Sequence, residues 1–154
     1  YVDASLKYLR EDAILELANE VESLSFVSEP TRRKLLIAKA RVLFERNDSL
    51  AYNIFRSLAE DRSTAEGTEA YYRLVEEQYL GGNSSVAEQM VYDLGECGSM
   101  YWQAKIYLIL GDVFVKMNNT FQARATYQSI VDGYSPKDDG IVDEARARIA
   151  ALAK

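Results

Sequence analysis

The sequence predicts an all-α chain built as antiparallel helix pairs stacked side by side, about three repeats with a flanking helix at each end. Three observations predict it. Apolar residues return every three or four positions along most of the chain, the period of a helix with one buried face. Only two prolines interrupt 154 residues, and proline is the strongest helix breaker. Alanines stand at 51, 87 and 123, spaced by 36 each time. Each follows a polar turn and precedes an apolar residue four positions on, which marks an internal repeat.

The elements follow in chain order. Residues 3–29 form an N-terminal helix whose stripe is Leu6, Leu9, Ala13, Leu17, Val21 and Leu24. The first repeat spans 30–62, with Pro30 in a first helical turn where its missing N–H costs nothing. Its first helix runs to Arg46, Asn47-Asp48-Ser49 is the turn, and Ala51, Phe55 and Leu58 open the second helix. The second repeat spans 63–97. Ser63 with Glu66 and Ser85 with Glu88 read as capping boxes, serine at the cap and glutamate three on. Between them Gly81-Gly82-Asn83-Ser84 makes the turn, followed by Ala87, Val91 and Leu94.

The third repeat spans 98–136. Ala104, Tyr107, Leu110, Gly111 and Phe114 share one face, Asn118-Asn119-Thr120 turns the chain, and Ala123, Tyr127, Ile130 and Tyr134 share the next. Asn119 with Gln122 is a weaker capping pair. Gly111 sits inside a helix, where glycine costs about 1 kcal/mol against alanine, so a close approach should compensate. Residues 139–154 form a capping helix with Ile141, Ala145, Ile149 and Leu152 inward; Arg146, Arg148 and Lys154 lie off that stripe.

Composition excludes several classes of chemistry. Histidine is absent, which removes the commonest general base and metal ligand. The lone Cys97 can form no internal disulfide, has no histidine to activate it, and reads as filling a small gap. No nucleophile, base and metal constellation is visible, so no enzyme activity and no cofactor are expected. A net charge of -6 argues against general nucleic-acid binding. No apolar run reaches the length of a membrane span. The acids Asp138, Asp139, Asp143 and Glu144 read as a helix start, not a calcium loop. The N-glycosylation patterns at Asn47, Asn83 and Asn118 are explained by the turns they occupy. The chain begins at Tyr1, not methionine, so it reads as a fragment of a longer chain or a processed product.

The third repeat resembles a tetratricopeptide repeat (TPR) at Tyr107, Leu110, Gly111, Phe114, Ala123, Tyr127 and Ile130, with Pro136 closing one residue late. The second matches more loosely at Tyr71, Leu74, Val75, Gln78, Ala87, Val91 and Leu94. The first is looser again, with Lys39 at the glycine position. The family's usual repeat is about 34 residues. The resemblance implies a right-handed superhelix, with another backbone approaching Gly111. The tail is similar to TPR proteins of bacterial cell envelopes, which implies the periplasm or envelope, with the cytoplasm as the alternative.

The resemblance also implies function. First helices would line a concave groove that binds a peptide or partner helix without catalysis. Carried over by repeat, the groove residues are Arg33, Leu36, Ala40 and Leu43, then Glu69, Tyr72, Glu76 and Tyr79, then Lys105, Leu108, Asp112 and Val115. Tyr72 and Tyr79 either offer amphipathic contact area or pack between helices. A carboxylate clamp is not expected, because Leu36, Ala40 and Arg73 stand where it needs lysine or asparagine. The other reading is self-association or a structural end-module of a larger envelope protein, through Tyr72, Tyr79 or an open N-terminal face. The bases Arg32, Arg33, Lys34, Lys39, Arg41 and Arg46 either recruit an acidic partner or pair with Glu11, Asp12, Glu16, Glu20 and Glu22 on the first helix.

Overall fold

The computed structural model describes residues 2–153 and the side chains of 7–153; Leu6 and Lys154 of the expected stripes therefore lie outside the described side chains. Eight helices run in order: α1 Val2–Glu22, α2 Glu29–Glu45, α3 Leu50–Leu58, α4 Ala65–Leu80, α5 Ser84–Tyr92, α6 Met100–Lys116, α7 Thr120–Gly133 and α8 Ile141–Leu152. The described residues contain no strand, and no described helix is long and apolar enough to cross a membrane.

Each helix packs on the next in sequence, and the even helices also meet in succession, α2 with α4, α4 with α6 and α6 with α8. No described helix touches one beyond its second neighbour. The hydrophobic core is one continuous column, from Ile37 through to Ala145.

The 36-residue spacing has a direct physical basis. Ala51, Ala87 and Ala123 are each 0% exposed, near the starts of α3, α5 and α7. Phe55, Val91 and Tyr127, four positions later, are buried, and so are Leu58, Leu94 and Ile130 one turn further. A larger side chain at the alanines has no space to enter, because cores are close-packed.

The turns repeat as well. Asn47, Gly82 and Asn118 all have positive φ, at 57°, 83° and 56°. The residue after each donates its N–H back to a helical carbonyl: Asp48 to Leu43 at 2.8 Å, Asn83 to Gln78 at 2.9 Å and Asn119 to Phe114 at 2.8 Å. This is the left-handed helix closure that glycine and asparagine favour. Turn geometry thus accounts for the asparagines at 47 and 118.

Several local expectations need correction. The cap of α4 is Thr64, whose hydroxyl accepts from Gly67 N–H at 3.0 Å; Ser63 instead donates its hydroxyl to Asp61. Helix α5 starts after Asn83, so Ser85 already lies in its first turn and caps nothing. Asn119 does cap α7, accepting from Gln122 N–H at 3.1 Å, and Pro30 does sit in the first turn of α2.

The α1 stripe is turned around. Leu9 is 65% exposed and Leu17 49%, while Ala13 and Leu24 are also exposed. The buried side carries Glu11 and Ala18 instead. Leu15 packs against the core on that side, and Arg46, which caps the end of α2, reaches Glu11 at 3.1 Å and Asp12 at 2.9 Å. Lys39 donates to Asn19 and Glu22, and Arg32 donates to the Leu24 carbonyl at 2.7 Å. The basic residues of α2 therefore pair in good part with α1.

Gly111 fits the expected close approach, but the approaching group is a side chain and not a backbone. A Cβ there would lie 2.2 Å from Cε1 of Tyr127 on α7. At the other end, Ile141 and Ala145 of α8 are buried as expected, joined by Val142. Arg148 turns toward α6.

Candidate functional site

The first repeat is read one residue out of register in the sequence. Ala51 lies four positions after Asn47, whereas Ala87 and Ala123 lie five after Gly82 and Asn118. The first turn is thus one residue shorter. Counting back seven from each positive-φ residue gives Ala40, Val75 and Gly111, all buried. Ala40, not Lys39, is the counterpart of Gly111. The positions equivalent to Glu69, Tyr72, Glu76 and Tyr79 are then Lys34, Ile37, Arg41 and Phe44. Arg33, Leu36, Ala40 and Leu43 each move by one.

Three of these corrected positions, all but Phe44, line a cleft. Lys34, Ile37 and Arg41 of α2 face Glu66 and Glu69 of α4 and Trp102 of α6 across a volume of about 230 Å3. The walls come together at the N-terminal ends of α4 and α6, at Ala65 and Ser99. Ser99 fixes the start of α6 by accepting from the Trp102 N–H at 3.3 Å. Glu69 is 3% exposed and held by both arms of one guanidinium: Arg41 Nε donates to Oε1 at 2.7 Å and Nη2 to Oε2 at 2.5 Å. Such two-point pairing is the strongest form of charged hydrogen bond. Trp102 is half-buried and rests on Tyr72, ring centroids 5.1 Å apart, with Tyr101 edge-on at 5.0 Å.

A second set of expected residues meets further along, between α4, α6 and α8. Tyr72 donates its hydroxyl to Glu76 at 2.8 Å, and Arg73 donates to the same carboxylate at 2.9 Å. Lys105 lies 5.7 Å from the Tyr72 ring centre and pairs with Glu144 of α8 at 3.6 Å. Asp112 accepts from the Tyr127 hydroxyl at 2.5 Å and from Arg148 Nε at 2.9 Å. Lys116 sits over Tyr79 at 4.5 Å. Burial together with the neighbouring carboxylate pushes the Tyr72 and Tyr127 hydroxyls above their ordinary range.

The structure thus links Tyr72, Glu76, Lys105 and Asp112 through Glu144 and Arg148 of α8, while Tyr79 contacts Lys116 apart from them. Leu108 is 1% exposed and Leu43 8%, so both are core side chains out of a ligand's reach. Leu36 packs against the core. Arg33 faces Glu66 at 3.8 Å. Lys34, Ile37, Arg41 and Trp102 stand outside the expected groove positions, although Lys34 and Arg41 belong to the basic set expected either to recruit an acidic partner or to pair with α1. The signal that would have found the first three is the shorter turn after Asn47; Trp102 is one turn ahead of Lys105 and carried no repeat signature.

The cleft offers an indole edge and exposed cations over a floor that includes the buried Ile37, a surface suited to an amphipathic segment. Cys97 is half-buried, its Sγ 3.6 Å from the Gly95 carbonyl. Burial raises its thiol pKa, which disfavours the reactive thiolate. Comparison with protein-family models, curated proteins and solved structures finds no match to this chain.

Proposed function

We propose that this chain is a TPR-like interaction module that binds a peptide or partner helix along the face formed by α2, α4 and α6, without catalysis. The observation that carries the reading is the succession of even helices, each packed on the next, with a cleft crossing three of them. The buried alanines at a 36-residue spacing and the three equivalent turn closures support a repeat architecture, and with it a right-handed superhelix of helix pairs. Repeat stacks of this kind present long binding surfaces because each unit contacts only its neighbours. The envelope setting belongs to the same proposal and rests on the likeness of the tail.

A photo-cross-linking residue placed at Lys34 tests the reading against one placed at Gln128, which is exposed on α7. A polypeptide partner captured from position 34 and not from 128 is the expected result. Capture from 128 alone, or equally from both, overturns it.

A second reading, self-association, draws on α1. Leu9 and Leu17 are 65% and 49% exposed and lie with the exposed Ala13 on one side of the helix, apolar surface that another copy could cover. Tyr72 is 8% exposed and serves this reading no longer. Light scattering that shows a monomer at high protein concentration rules it out.

A further inference from the structure

We infer that the partner segment is acidic, with an apolar side chain beside its carboxylates; this rests on the groove reading above and specifies its ligand. The carboxylates around the cleft are already engaged within the chain. Glu69 is held by Arg41, and Glu66 faces Arg33. A second cleft of about 470 Å3 adjoins the first through Arg41, between α1 and α2. Its acids are engaged too: Glu11 by Lys7 and Arg46, and Glu45 by Lys7 at 2.8 Å.

The cations are not all so engaged. Lys34 lines the first cleft and Arg10 the second, both side chains are exposed, and neither forms an ion pair with a described carboxylate. Arg41, which lines both clefts, keeps 55% of its side chain exposed even while it holds Glu69. The residues lining the two clefts balance in formal charge, four cations to four carboxylates, but every carboxylate is paired within the chain, so the charges left for a ligand to meet are the cations Lys34 and Arg10. Complementary charge both speeds encounter and rejects basic competitors.

The apolar half of the ligand follows from Trp102. It is the chain's single tryptophan, and it borders the cleft beside Ile37 and Lys34. An apolar or aromatic side chain set on the indole places neighbouring carboxylates near Lys34 and Arg41. An anchor of this kind, ringed by polar contacts, is where binding energy concentrates. Single-stranded nucleic acid also joins anionic groups to faces that stack on an aromatic ring, so it is the rival occupant that the test separates from a protein segment.

The test selects binders from a random ten-residue peptide library against the whole chain, and measures the enriched peptides by Trp102 fluorescence. Enrichment of Asp or Glu beside Leu, Phe or Trp is expected, with a saturable change in Trp102 emission. Binding should weaken with added salt, and by about tenfold or more in the surface variant Arg10→Glu with Lys34→Glu, its fold checked by circular dichroism. Basic or charge-indifferent peptides that still perturb Trp102 overturn the acidic partner and leave the groove reading standing. Single-stranded oligothymidine that binds as tightly as the peptides also overturns it. If no peptide perturbs Trp102, the groove reading falls as well.

Discussion

Replacing Gly111 by alanine sets two known effects against each other. Alanine gains about 1 kcal/mol of helix propensity over glycine. The added Cβ would sit 2.2 Å from Cε1 of Tyr127, 2.6 Å from Cδ1 and 2.7 Å from Cζ. Carbon atoms in comfortable contact are about 3.5 Å apart or more, so the ring has to retreat by roughly 1.3 Å. It has little freedom to do so: Tyr127 is 1% exposed and its hydroxyl is tied to Asp112. Overpacking costs about 1–3 kcal/mol, and loss of the charged hydrogen bond adds about 1.5–3 kcal/mol. With propensity subtracted, Gly111→Ala should destabilise by about 1.5–5 kcal/mol, lowering Tm by roughly 3–20 °C for a chain of this size. Urea unfolding followed by circular dichroism measures it. In a Tyr127→Leu background the same change should become neutral or stabilising, because the clash is gone. A Gly111→Ala variant as stable as the parent, or more so, would refute the steric account.

Three other outcomes follow from the same geometry. Thr68 is fully buried; its hydroxyl donates to the Arg62 carbonyl at 2.8 Å and accepts from Gly98 N–H at 3.0 Å, joining two successive inter-repeat loops. Thr68→Val should lower the urea midpoint by an amount equivalent to about 1–2 kcal/mol. Arg41→Ala leaves buried Glu69 unpaired, whereas Glu69→Gln leaves Arg41 in water; denaturant titrations should show the first as the costlier, by about 1 kcal/mol or more. At alkaline pH, burial and then the neighbouring carboxylates raise the tyrosine hydroxyls, Tyr134 to about 12 and Tyr72 and Tyr127 further. The unfolded chain loses these protons near pH 10 while the folded chain keeps them. Stability is therefore whole below about pH 10 and falls as pH rises toward the folded values, by about 1.4 kcal/mol per pH unit for each tyrosine. A stability that stays flat from pH 9 to about 11 contradicts the burial and carboxylate contacts assigned to these hydroxyls.

Much of this fold was legible because its signals are local. The alanines at 51, 87 and 123 mark tight crossings that a single side chain decides, and all three are fully buried. Asn119 caps α7 through a residue three positions away, and Ile141 and Ala145 fix the inward face of α8 by periodicity alone. Of the expected groove residues, Tyr72, Glu76, Lys105 and Asp112 lie along one chain of contacts, with Tyr72 itself buried. The cleft itself was not legible. One residue fewer after Asn47 shifts every face of α2 by about 100°, the angle per residue of a helix. That shift moves Lys34, Ile37 and Arg41 into the cleft in place of Arg33, Leu36 and Ala40.

The residues alone establish that the chain is helical and which alanines and turns repeat, though not that α1 ends at Glu22, short of the 29 expected. Those features depend on backbone conformation and on neighbours within a few positions. Only the tertiary structure decided that α1 turns Glu11 inward and Leu9 outward, that Tyr127 fills the space over Gly111, and that Arg41 holds Glu69 across 28 positions. Helical periodicity gives a face but not its partner. On α1 two faces competed, one apolar and one able to pair with α2 charges, and the choice depended on the helix beside it.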